Sequence, residues 1–266
     1  MSQQLSSRNQ IPSARRVVVK VGSSSISGAN ASQLPNLVDT IAVCHRSGTE
    51  VVLVSSGAIA TGLPFLNLSS RPTDLPTQQA AAAVGQSLLI HRYQVALERY
   101  AITAGQVLLT AGDLENVEHR DNAKRAMERL LALRILPIVN ENDTVATHEI
   151  RFGDNDRLAA LVSELVNADL LLLLSDVDGL YTKPPSEPGA EIVREIGFDD
   201  RLEGLSLGGV GLAGLGTGGA VTKVSAARHA NSVGIPTLLT STEQFAAALA
   251  GEHVGTWFEP AMERTA

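Results

Sequence analysis

The sequence predicts an α/β fold: a three-layer αβα sandwich around a mainly parallel, open sheet. Three observations carry this. Apolar runs of strand length alternate with helical patterns along the chain, the order of a doubly wound layer fold. Runs such as VVVKV at 17–21, EVVLV at 50–54 and DLLLLLS at 169–175 are apolar on both faces. Strands covered by helices on both sides must be so. Several strands end in loops of Gly, Ser, Asn and Asp, where open α/β sheets bind ligands.

Each element follows from local chemistry. The first strand, Arg16–Val21, closes on Gly22 and three serines. The pattern over Ser32–Ser47 sets Leu37, Ile41 and Cys44 on one helical face. Strand Glu50–Ser55 runs through Ser56 and Gly57 into a short helix. Thr77–Tyr100 is a long helical pattern, and its apolar stretch Ala80–Ile90 suits a core better than an interface. Strand Thr103–Leu109, helix Val117–Leu133 and strand Ile135–Asn140 come next. Helix Asp156–Val166 has Leu158, Leu161, Val162 and Leu165 at helical spacing. Strand Asp169–Ser175 leads to a Pro-rich loop, Tyr181–Gly189, where two lobes of one sheet would divide. Gly204–Gly219 holds eight glycines in sixteen positions and interrupts the alternation. Helix Thr222–Val233, strand Pro236–Thr240 and helix Thr242–Ala250 complete it. Residues 1–14 read as a flexible polar tail without the apolar centre of a signal peptide, and 15–266 as one domain.

Bulk properties narrow the function. A length of 266 residues with 44% hydrophobic and 18% charged residues is that of a soluble globular protein with a real core. A net charge of −7 argues against general nucleic-acid binding. Any anionic ligand must then be met by local lysines or backbone amides. The single cysteine, Cys44, excludes an internal disulfide and suits the cytoplasm; on its helical face it reads as a small core residue. The six histidines show no metal-ligating spacing. The aliphatic run Leu170–Leu174 is too short to cross a bilayer.

The densest polar stretch is Val139–Asp156, VNENDTVATHEIRFGDND. It brings Asn140, Glu141, Asn142, Asp143, Glu149, Asp154, Asn155 and Asp156 together between a strand and a helix. A core does not tolerate so many acids and amides without partners, so a ligand site outweighs a solvated loop here. Gly208–Lys223 contains G-x-G-x-x-G twice. It lies late in the chain, and no acid follows before Thr242, so the dinucleotide fingerprint fails. What remains is a loop entering a helix N-terminus with Lys223 in its first turn. Such a terminus can cradle phosphate, and a mobile surface loop fits the glycines equally. Lys20, in the last turn of an apolar strand, either reaches a cleft or snorkels at a sheet edge. Ser55, Ser56 and Gly57 suit a ligand, a helix cap or both. Asp176 and Asp178, before Gly179, suit a ribose contact or a plain turn.

Taken in order, Lys-Val-Gly-Ser, Ser-Ser-Gly-Ala, Asn-Glu-Asn-Asp, Gly-Asp-Asn-Asp, Ser-Asp-Val-Asp-Gly-Leu-Tyr and Gly-Thr-Gly-Gly-x-x-Thr-Lys resemble the amino acid kinase family. VNENDTVAT (139–147), GDNDRLAA (153–160), AAAVGQSLLI (81–90) and GQVLLT (105–110) point within it to the branch that phosphorylates glutamate. The likeness runs from about Val17 to about Phe258. Ser55 and Ser175 stand where many members have Thr, and Ala220 where many have Met. Many bacterial members continue into a C-terminal RNA-binding-type (PUA) domain, and this chain stops short of one.

The resemblance implies transfer of the γ-phosphoryl of ATP to the side-chain carboxylate of L-glutamate, the first step of proline biosynthesis. It implies Lys20, Lys223 and Asp156 as catalytic residues, the lysines neutralising phosphoryl charge and Asp156 holding them. Gly22 and Gly57 would offer amides along the phosphoryl path. Ser56, Gly57, Asn140, Asp143, Asp154 and Asn155 would bind glutamate, with Asp143 facing its α-ammonium. Lys20, Ser175, Asp176, Thr217, Gly218, Gly219, Ala220, Val221, Thr222 and Lys223 would bind the nucleotide. ATP and Mg²⁺ are the implied cofactors, with no protein metal site assigned. A homo-oligomer (dimer or tetramer), feedback inhibition by proline and a glutamyl phosphate reductase partner are also implied, with neither membrane nor nucleic acid as partner. Rival readings are a kinase of N-acetylglutamate, carbamate or uridylate, and a catalytically silent amino-acid sensor. An acid facing a free ammonium disfavours the acylated substrate, and retention of both lysines disfavours the sensor.

Overall fold

In the computed structural model of the chain, the described residues are 4–26, 30, 32–146, 155–202 and 219–261. The sheet is built from β1 (Arg16–Val21), β2 (Glu50–Ser55), β3 (Ala104–Leu109), β4 (Leu136–Glu141), β5 (Leu170–Ser175), β8 (Glu195–Ile196), β9 (Thr237–Ser241) and β10 (Thr256–Phe258). Their order is β3-β4-β2-β1-β5-β9-β10-β8. Every pairing is parallel except β10 against β9, so the expected mainly parallel sheet is present. β6 (Leu180–Tyr181) and β7 (Ile192–Val193) form a separate antiparallel hairpin that encloses the Pro-rich loop.

Alternation along the buried strands divides the interior into two cores. Val17, Val19 and Val21 of β1 face one cluster with Leu37, Ile41, Tyr93, Leu97 and Trp257. Val18 faces the other, with Met127, Leu158, Val162 and Ala227. The first layer contains α2 (Gln33–Arg46), α4 (Leu75–Glu98) and α9 (Phe245–Leu249). The second contains α6 (Val117–Ala132), α7 (Asn155–Leu165) and α8 (Ala220–Ser232). Burying both faces of each central strand is what makes those strands read as unbroken apolar runs.

Two short helices follow strand ends: α1 (Ser23–Ile26) after β1 and α3 (Ala58–Gly62) after β2. α5 (Ala111–Glu115) follows β3 behind a Thr110–Asp113 capping box. α3 packs backbone to backbone on α4. A Cβ on Gly62 would lie 2.0 Å from the Ala81 carbonyl oxygen, and one on Gly85 1.8 Å from that of Ala58. The apolar stretch Ala80–Ile90 thus does build core, through Ala81, Ala82, Gly85 and Leu89.

Three readings need correction. Residues 4–14 are not a loose tail: Arg8–Ser13 form a 3-10 helix, and Leu5, Arg8, Ile11 and Ala14 are buried. Their apolar positions are too few to show periodicity, but each meets the fold. β4 ends at Glu141, one residue later than expected, so Asn140 and Glu141 are strand residues paired with Leu108 and Leu109. β8 and β10 had no counterpart in the sequence reading, because two and three residues carry no alternation to detect.

Candidate active site

The site forms at the carboxyl ends of β1, β2, β4 and β5. Lys20 lies one residue before the end of β1 and points to the same side as Val18, toward α7 and α8. Asp156 occupies the first turn of α7, and Lys223 the first turn of α8, which begins beyond its N-cap Gly219. The parity of β1 therefore sends Lys20 to the layer that holds both. The Asp156 carboxylate pairs through Oδ1 with Lys20 Nζ and through Oδ2 with Lys223 Nζ, the latter at 3.1 Å. All three are deeply buried, at 2%, 0% and 8% exposure for Lys20, Asp156 and Lys223. Burial alone would raise the Asp156 pKa. The charges of Lys20 and then Lys223, with their hydrogen bonds, outweigh it and bring the pKa down to about 2. Thr222 Oγ1 donates to Asp156 Oδ2 at 3.0 Å, a bond the sequence did not disclose.

A second constellation lies on the α4 side. Asn155 Nδ2 donates to the Ser55 carbonyl at 2.8 Å, to Asn140 Oδ1 at 2.7 Å and to Ser56 Oγ at 3.2 Å. Asn140 Nδ2 in turn donates to Gln86 Oε1 at 3.2 Å. Gly57, at φ +105°, occupies the left-handed region between β2 and α3, which a side chain would strain. It turns the chain so that Ser56 stays beside Asn155. Asp143 is buried at the turn after β4. The Ser55 hydroxyl lies 2.9 Å from that of Tyr93, and burial pushes the Tyr93 hydroxyl far above its ordinary pKa.

The described residues expected at the nucleotide, Lys20 apart, divide between the end of β5 and the start of α8. Ser175 ends β5, and its hydroxyl donates to Asp176 Oδ1 at 3.1 Å. Gly219, Ala220, Val221, Thr222 and Lys223 form the start of α8. Val221 turns its side chain outward, so only its backbone belongs to this group. Asp154, Thr217 and Gly218 lie outside the described residues. Among the described residues, no three His, Cys, Asp or Glu side chains gather as a metal cage, and no helix is long and apolar enough to cross a membrane. Gln86 and Gln79 of α4 were missed as site neighbours. The AAAVGQSLLI motif contained Gln86, but a helix 54 residues away in sequence gives no sign that it touches Asn140.

The chain is similar to known proteins along most of its length. The profile described as "Amino acid kinase family" matches residues 15–241. A glutamate 5-kinase of Clavibacter michiganensis is 72% identical over 254 residues, covering 96% of this chain and 98% of the relative. One of Leifsonia xyli is 69% identical, covering 96% and 95%. One of Salinispora arenicola is 56% identical, covering 97% of this chain and 71% of its own greater length. Among solved structures, carbamate kinase from Giardia lamblia bound to AMP-PNP superposes with a TM-score of 0.67 at 18% identity, covering 94% of this chain and 99% of that one; this likeness is one of fold. With the profile spanning most of the chain and such relatives matched nearly end to end, the chain belongs to the amino acid kinase family.

Proposed function

We propose that this chain transfers the γ-phosphoryl of ATP to the side-chain carboxylate of L-glutamate, giving glutamyl 5-phosphate, the first step of proline biosynthesis. The names of its relatives support the substrate. One observation carries the chemistry: two buried ammonium groups share one buried carboxylate beside the hydrogen-bonded amides of Asn140 and Asn155.

A glutamate side chain has a pKa of about 4.3 and is ionised near neutrality, so no general base is required. The obstacle is bringing a carboxylate to a polyphosphate. A carboxylate oxygen forms the new bond to Pγ, the bond from Pγ to the β–γ bridging oxygen breaks, and ADP leaves with that electron pair. Lys20 and Lys223 neutralise charge on the transferring group and on the leaving oxygen. Asp156 keeps both ammonium groups aimed, and its low pKa keeps it charged in the working range. Gly22 and Gly57 leave room for their amides to meet the phosphoryl path. Ser56, Asn140, Asp143, Asp154 and Asn155 hold glutamate, with Asp143 opposite the α-ammonium. Ser175, Asp176 and the run from Thr217 to Lys223 hold the nucleotide. Magnesium would come with the ATP phosphates and would supply further charge neutralisation beside Lys20 and Lys223. Homo-oligomer formation, inhibition by proline, a glutamyl phosphate reductase partner and division into a glutamate lobe and a nucleotide lobe belong to the same proposal, and rest on the family resemblance.

The test is ADP release with glutamate, N-acetylglutamate, aspartate and carbamate, in wild type and Asp143→Asn. Glutamate should be preferred. The substitution should raise the glutamate KM about 10–150-fold, the loss of one charge-assisted contact, with little change in the ATP KM. Discrimination against the acylated substrate should fall too. An unchanged glutamate to N-acetylglutamate ratio would remove Asp143 from substrate recognition, and no release with glutamate would overturn the function.

A further inference from the structure

We infer that Gln86, on α4, is a positioning residue that fixes the orientation of the Asn155 side-chain amide and so presents its oxygen to the substrate. The inference rests on the proposed glutamate chemistry. Side-chain amides can flip, so each must be oriented by a partner that can only donate or only accept. The chain from Gln86 to Asn155 is bounded by such partners. Glu141 N–H, a donor only, donates to Asn140 Oδ1 at 2.9 Å. The Ser55 carbonyl, an acceptor only, receives Asn155 Nδ2 at 2.8 Å. The Glu141 carbonyl, also an acceptor only, receives Gln86 Nε2 at 3.2 Å.

These three anchors set one polarity throughout. Gln86 Oε1 then faces Asn140 Nδ2 at 3.2 Å, and Asn140 Oδ1 faces Asn155 Nδ2 at 2.7 Å. Gln106 on the edge strand β3 adds a donor to Gln86 Oε1 at 3.4 Å. With its NH₂ occupied by Ser55, Ser56 and Asn140, Asn155 keeps Oδ1 as its unused acceptor among the described residues. An acceptor there suits the α-ammonium of an amino acid and repels a second carboxylate. Two turns before Gln86, on the same face of α4, Gln79 Nε2 donates to the Ala146 carbonyl at 3.1 Å. α4 thereby grips both ends of segment 140–146, which carries Asp143.

Without Gln86, Asn140 Nδ2 loses its acceptor and the Asn140 amide is held from one side only. Asn155 is then oriented by the Ser55 carbonyl and the Ser56 hydroxyl without a firmly held Asn140, and its Oδ1 is aimed less tightly at the ammonium. The experiment compares wild type, Gln86→Met and Gln86→Glu, using glutamate and glutarate, which lacks the α-amino group. Met keeps the length and removes both hydrogen bonds; Glu keeps the acceptor for Asn140 and removes the donor to Glu141. Gln86→Met should raise the glutamate KM about tenfold, with kcat within about threefold and the ATP KM unchanged. Gln86→Glu should retain part of the loss, and the preference for glutamate over glutarate should fall in the same order. In an Asn140→Ala background, Gln86→Met should add nothing further. A purely structural role would instead lower the melting temperature and move both KM values and kcat together, and that outcome overturns the inference. So does an unchanged glutamate KM in Gln86→Met while wild type turns over glutamate. If wild type fails to turn over glutamate, the proposed function falls first and this inference with it.

Discussion

In the proposed site, Lys20, Asp156 and Lys223 make charge balance and position one property. Two ammonium groups around one carboxylate leave this trio net positive, which suits a polyphosphate in a chain that is acidic overall. Asp156 is the constraint, since without it two buried cations face each other uncompensated. Its folded pKa lies below the ordinary value. The stability it contributes is therefore fully present above about pH 4 and is lost as pH falls toward 2. That contribution is on the order of 2 kcal/mol. Urea unfolding of wild type and Asp156→Asn between pH 5 and 2 should show wild type more stable at pH 5 and the gap narrowing in acid. The same variant should lose at least about 10²-fold in kcat near neutrality. A gap that stays constant with pH would mean that Asp156 acts by shape and not by charge.

At the scale of elements, the contact of α3 with α4 ties the helix layer to the site. Gly62 and Gly85 let the two backbones touch, and α3 begins directly after Ser56 and Gly57. Replacing Gly by Ala inside an exposed helix stabilises by up to about 1 kcal/mol. Gly85→Ala should do the reverse. Its methyl would meet the Ala58 carbonyl oxygen at 1.8 Å and carbon at 2.7 Å, which are backbone atoms and cannot swing aside. A loss of about 1–3 kcal/mol is expected from such overpacking, together with a raised glutamate KM as Ser56 shifts. Ala83→Gly on the exposed face of the same helix is the control, and should cost about 1 kcal/mol without touching the KM. Thermal unfolding with parallel kinetics checks both. A more stable Gly85→Ala would show that the helices can move apart freely.

Across the whole molecule, the N-terminal segment joins chain ends that lie far apart in sequence. Arg8 donates from Nη1 to the Val254 carbonyl at 2.8 Å and from Nη2 to the Arg194 carbonyl at 2.5 Å, holding the residues that lead into β10 and β8. Gln4 donates to the carbonyls of Gly234 and Ala261, each at 2.8 Å. Arg8→Ala strips a buried cation from two carbonyls and should cost about 2–3 kcal/mol, at about 1.5–3 for a hydrogen bond to a charged group. The exposed neighbour Arg15→Ala should change stability by less than about 0.5 kcal/mol. Denaturant midpoints decide it, and equal losses in the two variants would reduce the segment to an incidental contact.

What the sequence determined by itself was what recurs locally. Val17–Val21, Val51–Val54 and Leu170–Leu174 announce doubly covered strands because burial on both faces leaves no polar position except Lys20. Lys20, Asp156 and Lys223 stand out because a strand or helix start in an apolar setting keeps a charge only for a reason. The motif order set the family. Tertiary structure alone decided what depends on partners distant in sequence. The parity of β1 turns Lys20 toward Asp156 and Lys223, and Gln86 meets Asn140 across the α4–β4 interface. Arg8 is buried only because strand ends near 194 and 254 supply carbonyls. Periodicity reports which face of an element is buried, but not which element lies against it; chain topology settles that, and topology assembles this site.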